Sequence, residues 1–423
     1  MDKLINIALV ICIFFTLSSV PTPLFDFYYY YIIIVFLLPY LFFKNKTTDI
    51  KLILVFSAVL FFGLVNVLLS NTTLVNTIKY WLGPFVVYLF YYHILVYKKF
   101  DFENIFRIYL SAAFWISLLG IVQVISHKIG FEIGYNFSWL GQERSFGDSI
   151  SSGDIGFSGL YNLHSILPEP AHFGNVMSCA IFYSVFTLVK PVILNKIQAI
   201  VILTASVLTQ SSVTYFSIVV SVLLLVFNFA RPKYIIVAGI VLFISGGFIF
   251  NSVKKFQDRV LSINKVATDG VDSSIADGID GSTLTLVNHG VIAIENMKQH
   301  PMIGTGIGSH EFAHAKYSLL GNDLFMNSLN IHDASSLFNR ILSEMGLLGI
   351  VSLVLFLFYN FVKRNDISPF TTKNTYWMYN NGSLVVILSF LLRNGHFFIY
   401  GLPLFVLTYY YTKKILNDEI QYS

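Results

Sequence analysis

Leu52 to Leu69 reads LILVFSAVLFFGLVNVLL, eighteen residues without a charge. At the helical rise that stretch covers about 27 Å, enough to cross a hydrocarbon core roughly 30 Å thick. The same length and apolarity recur at Leu4 to Val20, Phe27 to Phe43, Tyr80 to Tyr97 and Ile105 to Ser126. They recur again at Ala171 to Val189, Val192 to Leu208, Val213 to Phe229, Tyr234 to Phe250, Leu337 to Phe361, Tyr376 to Leu392 and Phe397 to Tyr411. The chain is 55% hydrophobic and 12% charged, against roughly 25% charged in a soluble domain. The expected fold is therefore an all-α polytopic membrane protein of about twelve transmembrane helices, or eleven if the last two short runs form a re-entrant pair. A net charge of +4, scattered along the chain, gives no footprint for nucleic acid. Cys12 and Cys179 both lie inside apolar runs, which leaves no loop disulfide.

The first run has a poor cleavage site at Ser18-Ser19-Val20-Pro21 and is expected to stay as an uncleaved helix. Basic residues concentrate in alternate short connections: Lys44, Lys46 and Lys51, then Lys98 and Lys99, Lys190 and Lys196, Arg231 and Lys233, Lys363 and Arg364, Lys413 and Lys414. The positive-inside rule puts those connections and both termini in the cytoplasm of a bacterial inner membrane. Five segments follow: helices one to five over 1–126, a first long periplasmic loop over 127–168, helices six to nine over 169–250, a large periplasmic loop over 251–336, and helices ten to twelve with a cytoplasmic tail over 337–423. The segment Leu284 to Met297 in the second loop is moderately apolar and is expected as a surface helix.

Three motifs stand out, two at the expected outer mouths of helices and one within the second long loop. Pro168-Glu169-Pro170-Ala171-His172 opens the sixth, where it is either a helix cap with a solvated histidine or a functional carboxylate and imidazole beside a positive helix end. His300-Pro301-Met302-Ile303-Gly304-Thr305-Gly306-Ile307-Gly308 follows no buried strand and reads as a flexible turn in preference to a dinucleotide site. His332-Asp333 leads into Ser336, Asn339, Arg340, Glu344 and Gly346-Leu347-Leu348-Gly349. Helical spacing puts His332, Ser336 and Asn339 on one face and pairs Arg340 with Glu344. His332 is either an interface residue or a catalytic one. Aspartates 269, 272, 277 and 280 do not fit a calcium loop, and no His or Cys cluster has zinc spacing. No cofactor is expected.

Taken together, the Glu-Pro-Ala-His-Phe block at Glu169 to Phe173, the His-Pro-x-x-Gly-x-Gly block at His300 to Gly306 and the histidine-led approach to Gly346-Leu347-Leu348-Gly349 resemble the O-antigen polymerase (Wzy) family, within the wider polymerase and ligase superfamily. The resemblance implies a GT-C-like, metal-independent membrane glycosyltransferase. Its donor and acceptor would be undecaprenyl-diphosphate-linked oligosaccharides among membrane lipids, with a polysaccharide chain-length regulator as partner and no nucleic acid. It also implies that Glu169 and His332 are catalytic. His172, Asn339 and Arg340 lie beside them as substrate-binding candidates. The family's usual arginines before Glu-Pro and before the His-Pro segment are missing here, where His164 and Thr283-Leu284-Thr285 stand. Arg144, Arg259 and Arg393 are the substitute cations for diphosphate. An O-antigen ligase differs only in its acceptor, lipid A core, and stays open. A lipid-linked oligosaccharide flippase would need ionisable residues within its spans, whereas here they gather at helix mouths and in the long loops. A non-catalytic scaffold is the third reading.

Overall fold

Each apolar run that falls in a described region forms a helix. The computed structural model describes residues 1–17, 19–21, 26–137, 161–229, 281–320, 327–364 and 374–422. The helices are α1 (Asp2–Phe14), α2 (Tyr29–Asn45), α3 (Ile50–Leu68), α4 (Leu74–Tyr97), α5 (Phe102–Lys128), α6 (Pro170–Val189), α7 (Lys196–Leu208) and α8 (Ser212–Phe229). They continue with α9 (Gly281–Gln299), α10 (His310–Tyr317), α11 (Leu337–Tyr359), α12 (Tyr376–Leu392) and α13 (Leu402–Tyr422). Eleven of the twelve expected runs are thus helical, and Tyr234 to Phe250 lies outside the described residues. Five helices among the described residues are long and apolar enough to cross a membrane, namely α3, α5, α6, α8 and α11. The protein is a multi-pass membrane protein, and its described residues are helical apart from a short hairpin, Ser19–Pro21 paired antiparallel with Asp26–Tyr28.

Local chemistry fixes the helix starts. Asp49, Thr73 and Asp101 each accept a backbone N–H of the first turn, Asn195 and Gln198 cap α7 reciprocally, and Pro170 opens α6 where no N–H partner is needed. Several boundaries differ from expectation, among them the start of α4 at Leu74, six residues before Tyr80. The first run leaves helical form after Phe14 to make the hairpin, and the last helix begins at Leu402 and continues through its charged tail. Gly401, at φ +71°, and Pro403 together set that start.

α6 is the central helix, packed against α7, α8 and α12, with Ser178 and Ser217 hydroxyls 2.8 Å apart across α6 and α8. Several polar groups buried among the helices satisfy one another. Asn380 donates to the carbonyls of Asn360 and Tyr409 and to the Thr412 hydroxyl, while accepting from Val362. Asn381 accepts from Asn228. Unpaired, such groups would be costly in a low-dielectric interior.

The connections sort into two ends. Asp49 meets Lys414 at 2.9 Å, Asn45 meets His93, and Lys98 approaches Asp2; all lie in segments expected on one side. At the opposite end Asn76 meets Glu311, Asn394 N–H donates to Ser335 O, and Arg393 donates to Ser282 O. Between the ends, α3, α4, α11 and α13 enclose an apolar cavity of about 570 Å³ that reaches from Leu337 and Phe397 to Lys51 and Tyr411. The last part of the first long loop, residues 161–168, is buried. Gln123 of α5 accepts the N–H groups of His164 and Ser165, and Leu163 donates to Leu208 O.

Candidate active site at one mouth of the bundle

α11 begins at Leu337, so His332 stands in the turn before the helix and not on a helical face with Ser336 and Asn339, as spacing predicts. Ala334 and Ser335 both take φ +58°, which ends the incoming loop sharply. Ser336 then caps α11 through Asn339 N–H, and Asn339 donates to Ala334 O. The backbone bridges Ser336 to Asn394. Gly395 lies against the Asp333 carbonyl, where any Cβ would collide with backbone. The turn after α12 and the turn before α11 therefore form one unit.

Behind that unit, Arg340 and Glu344 form the expected pair at 3.1 Å, both side chains almost fully buried. Arg340 also donates to Gly395 O and lies between the Tyr80 and Phe397 rings, 5.2 and 4.7 Å from their centroids. So held, its guanidinium buttresses the 393–396 turn.

The glycine loop docks on α11. Gly304, Gly306 and Gly308 all have positive φ, and Gly346 breaks α11 with φ +59° and ψ −152°. Thr305 and Gly306 donate to the carbonyls of Ser343 and Glu344, and Leu347 and Leu348 donate to those of Pro301 and Met302. The motif expected as a flexible turn is a packed splint that supplies hydrogen bonds where the helix ladder is interrupted. α9, expected on the surface, buries Leu284, Asn288, His289, Ile292, Ala293 and Asn296 against α10 and α11.

Six ionisable side chains, His332, Glu311, His396, Asp333, His172 and Glu169, line the site, with Arg393 beside them. His332 Nδ1 is 2.8 Å from Glu311 Oε2, and Asn76 Nδ2 donates to the other Glu311 oxygen. His396 Nε2 is 3.5 Å from Asp333 Oδ2. His172 packs against Tyr400 with the rings tilted, 5.2 Å between centroids, and lies within electrostatic reach of Glu169, Asp333 and Arg393. Glu169 is the N-cap of α6 but its side chain makes no cap hydrogen bond, leaving the carboxylate to the site. Residues from the two loop ends thus converge: Glu169 and His172 through Asp333, the immediate neighbour of His332. Arg393 is not an unpaired cation, since it donates to Ser282 O at 3.0 Å. Arg144 and Arg259 lie outside the described residues.

A layer of histidines backs this face. His289 Nε2 lies 2.9 Å from Leu329 O, and its Nδ1 lies 2.9 Å from His310 Nε2. A carbonyl can only accept, so His289 is protonated on Nε2 and His310 donates to its Nδ1. Burial, then the neighbouring His289, holds His310 well below the usual imidazole range. The same causes push His314 down to about 4.

Sequence reasoning picked out Glu169, His172, His332, Asn339, Arg340 and Arg393. It missed Asn76, Tyr80, Glu311, Asp333 and His396 as members of the site, because tertiary contacts between distant segments bring them in.

Residues 197–354 match the family model described as O-antigen ligase. That range contains Glu311, His332 and Arg340 but not Glu169 or the 393–396 turn. The match supports the O-antigen polymerase and ligase superfamily, whose members are glycosyltransferase-like enzymes. No curated protein matches the chain.

Proposed function

We propose that the chain is an O-antigen polymerase, joining undecaprenyl-diphosphate-linked repeat units at the periplasmic face of the inner membrane. The observation that carries the reading is the convergence of Glu169 and His332, from the ends of two separate long loops, on one mouth of a membrane bundle. On this reading the mouth is periplasmic and the end holding Asp49 and Lys414 is cytoplasmic. The lipid-anchored donor presents an anomeric carbon with a diphosphate leaving group at that height. His332 takes the proton of the acceptor hydroxyl while fixed cations, Arg393 among them, receive the charge of the departing diphosphate. The apolar cavity below the mouth accommodates the carrier's chain. A GT-C-like fold and a chain-length regulator as partner complete the proposal.

The ligase reading is favoured by the description of the matching family model. Lipid profiles of a deletion strain separate the readings. Single repeats on lipid A core support the polymerase, bare core supports the ligase, and carrier accumulating on the cytoplasmic side points to a flippase and overturns both.

A further inference from the structure

We infer that Glu311 is the positioning residue for His332, clamped in turn by Asn76. This rests on the reading of His332 as the base, and extends it to residues outside the motifs. The His332 side chain is 63% exposed and its partner carboxylate 24%, so packing alone does not hold the imidazole in one orientation. A single hydrogen bond from Nδ1–H to Glu311 Oε2 does this instead. It also sets the tautomer, because a carboxylate accepts and the proton between them must sit on Nδ1, which leaves the Nε2 lone pair of the neutral ring available to accept. Glu311 sits in the first turn of α10, and its second oxygen takes the Asn76 amide from the first turn of α4. One helical turn on, Tyr80 of the same α4 face reaches the His332 ring, at 6.4 Å between centroids.

In the step so arranged, the acceptor hydroxyl oxygen bonds to the anomeric carbon and its proton passes to His332 Nε2. The bond from that carbon to the diphosphate oxygen breaks with its electron pair leaving on the diphosphate. The resulting imidazolium lies beside the Glu311 carboxylate until its proton passes to water. A bare structural tether predicts little, since ion pairs this exposed stabilise weakly.

The test uses the full-length purified protein with lipid-diphosphate-linked repeats, each variant first shown to be monodisperse in detergent. Glu311→Gln keeps an acceptor for Nδ1–H but loses the charge, and is expected to lower kcat about 10-fold to 100-fold with KM little changed. Glu311→Ala, which frees the ring, is expected to lose more, and Asn76→Ala an intermediate amount. In a His332→Ala background, Glu311→Gln should lower the residual rate no further. Wild-type kcat in Glu311→Gln and Glu311→Ala overturns the inference, as does the same fold-loss with and without His332. Full activity of His332→Ala alone overturns the underlying reading of the base, which is a separate outcome.

Discussion

Arg340 shows how a polar residue in an apolar bundle becomes structural. Its charge is neutralised by Glu344 through Nε, its Nη1 donates to Gly395 O, and its plane lies against two aromatic rings. Breaking one side of such a pair leaves an uncompensated buried charge, typically costing about 3–5 kcal/mol. Glu344→Leu should therefore lower the melting temperature in detergent more than the double replacement Arg340→Met with Glu344→Leu. Equal melting temperatures for the two would contradict the pair's role. The histidine layer gives a second expectation. Folded imidazoles held below the unfolded value of about 6.5 stay neutral where unfolded chains take up protons. Their contribution to stability is full above that value and is lost as pH falls from it toward about 4, the value for His314. Thermal stability should decline between pH 7 and pH 5, and His314→Asn should flatten part of that decline. Glu169, His172 and His332 were legible because each stands at a helix mouth, within two residues of a proline or beside another polar residue. Glu311 was not, since it lies 21 positions before His332 with no local signal, and only the packing of α10 against α11 brings the two together.

At the scale of elements, the apolar runs were readable because a membrane helix needs only length and hydropathy. Elements outside the bilayer follow other rules. α9 carries Thr, Asn and His on its buried face, so hydropathy alone put it on the surface. Likewise G-x-G-x-G reads as flexibility when positive φ is the only property considered, whereas its glycines serve close approach. A Cβ at Gly304 would lie 2.5 Å from the Glu344 carbonyl carbon. Gly304→Ala and Gly346→Ala each combine an unfavourable φ with a backbone clash, and each is expected to cost more than about 1 kcal/mol. Thermal unfolding in detergent checks this, and wild-type stability in both variants would remove the splint from the account. Activity should fall with stability, because the break in α11 sets the position of Arg340 relative to the 393–396 turn.

For the whole molecule, the alternation of basic connections implies two faces, and the contacts sort accordingly, Asp49 with Lys414 at one end and Asn76 with Glu311 at the other. Single-cysteine labelling of intact cells, in a chain lacking Cys12 and Cys179, should modify positions 149 and 274 and spare 45 and 372. Impermeant labelling at 45 or 372 would reverse the orientation. The apolar runs among the described residues were readable from hydropathy, but the approach of Glu169 to the neighbourhood of His332 was not, because 163 positions separate them in sequence and only the packing of α12 against both α6 and α11 brings their neighbourhoods together. The central claim is that this mouth transfers glycans with His332 as base. It is tested most directly by reconstituting purified wild-type and His332→Ala protein in proteoliposomes with lipid-diphosphate-linked repeats and measuring the rate of polymer formation. The account predicts long polymer from the wild type and a loss of about 10²–10⁴ in rate for His332→Ala at equal protein level, and equal rates would contradict it.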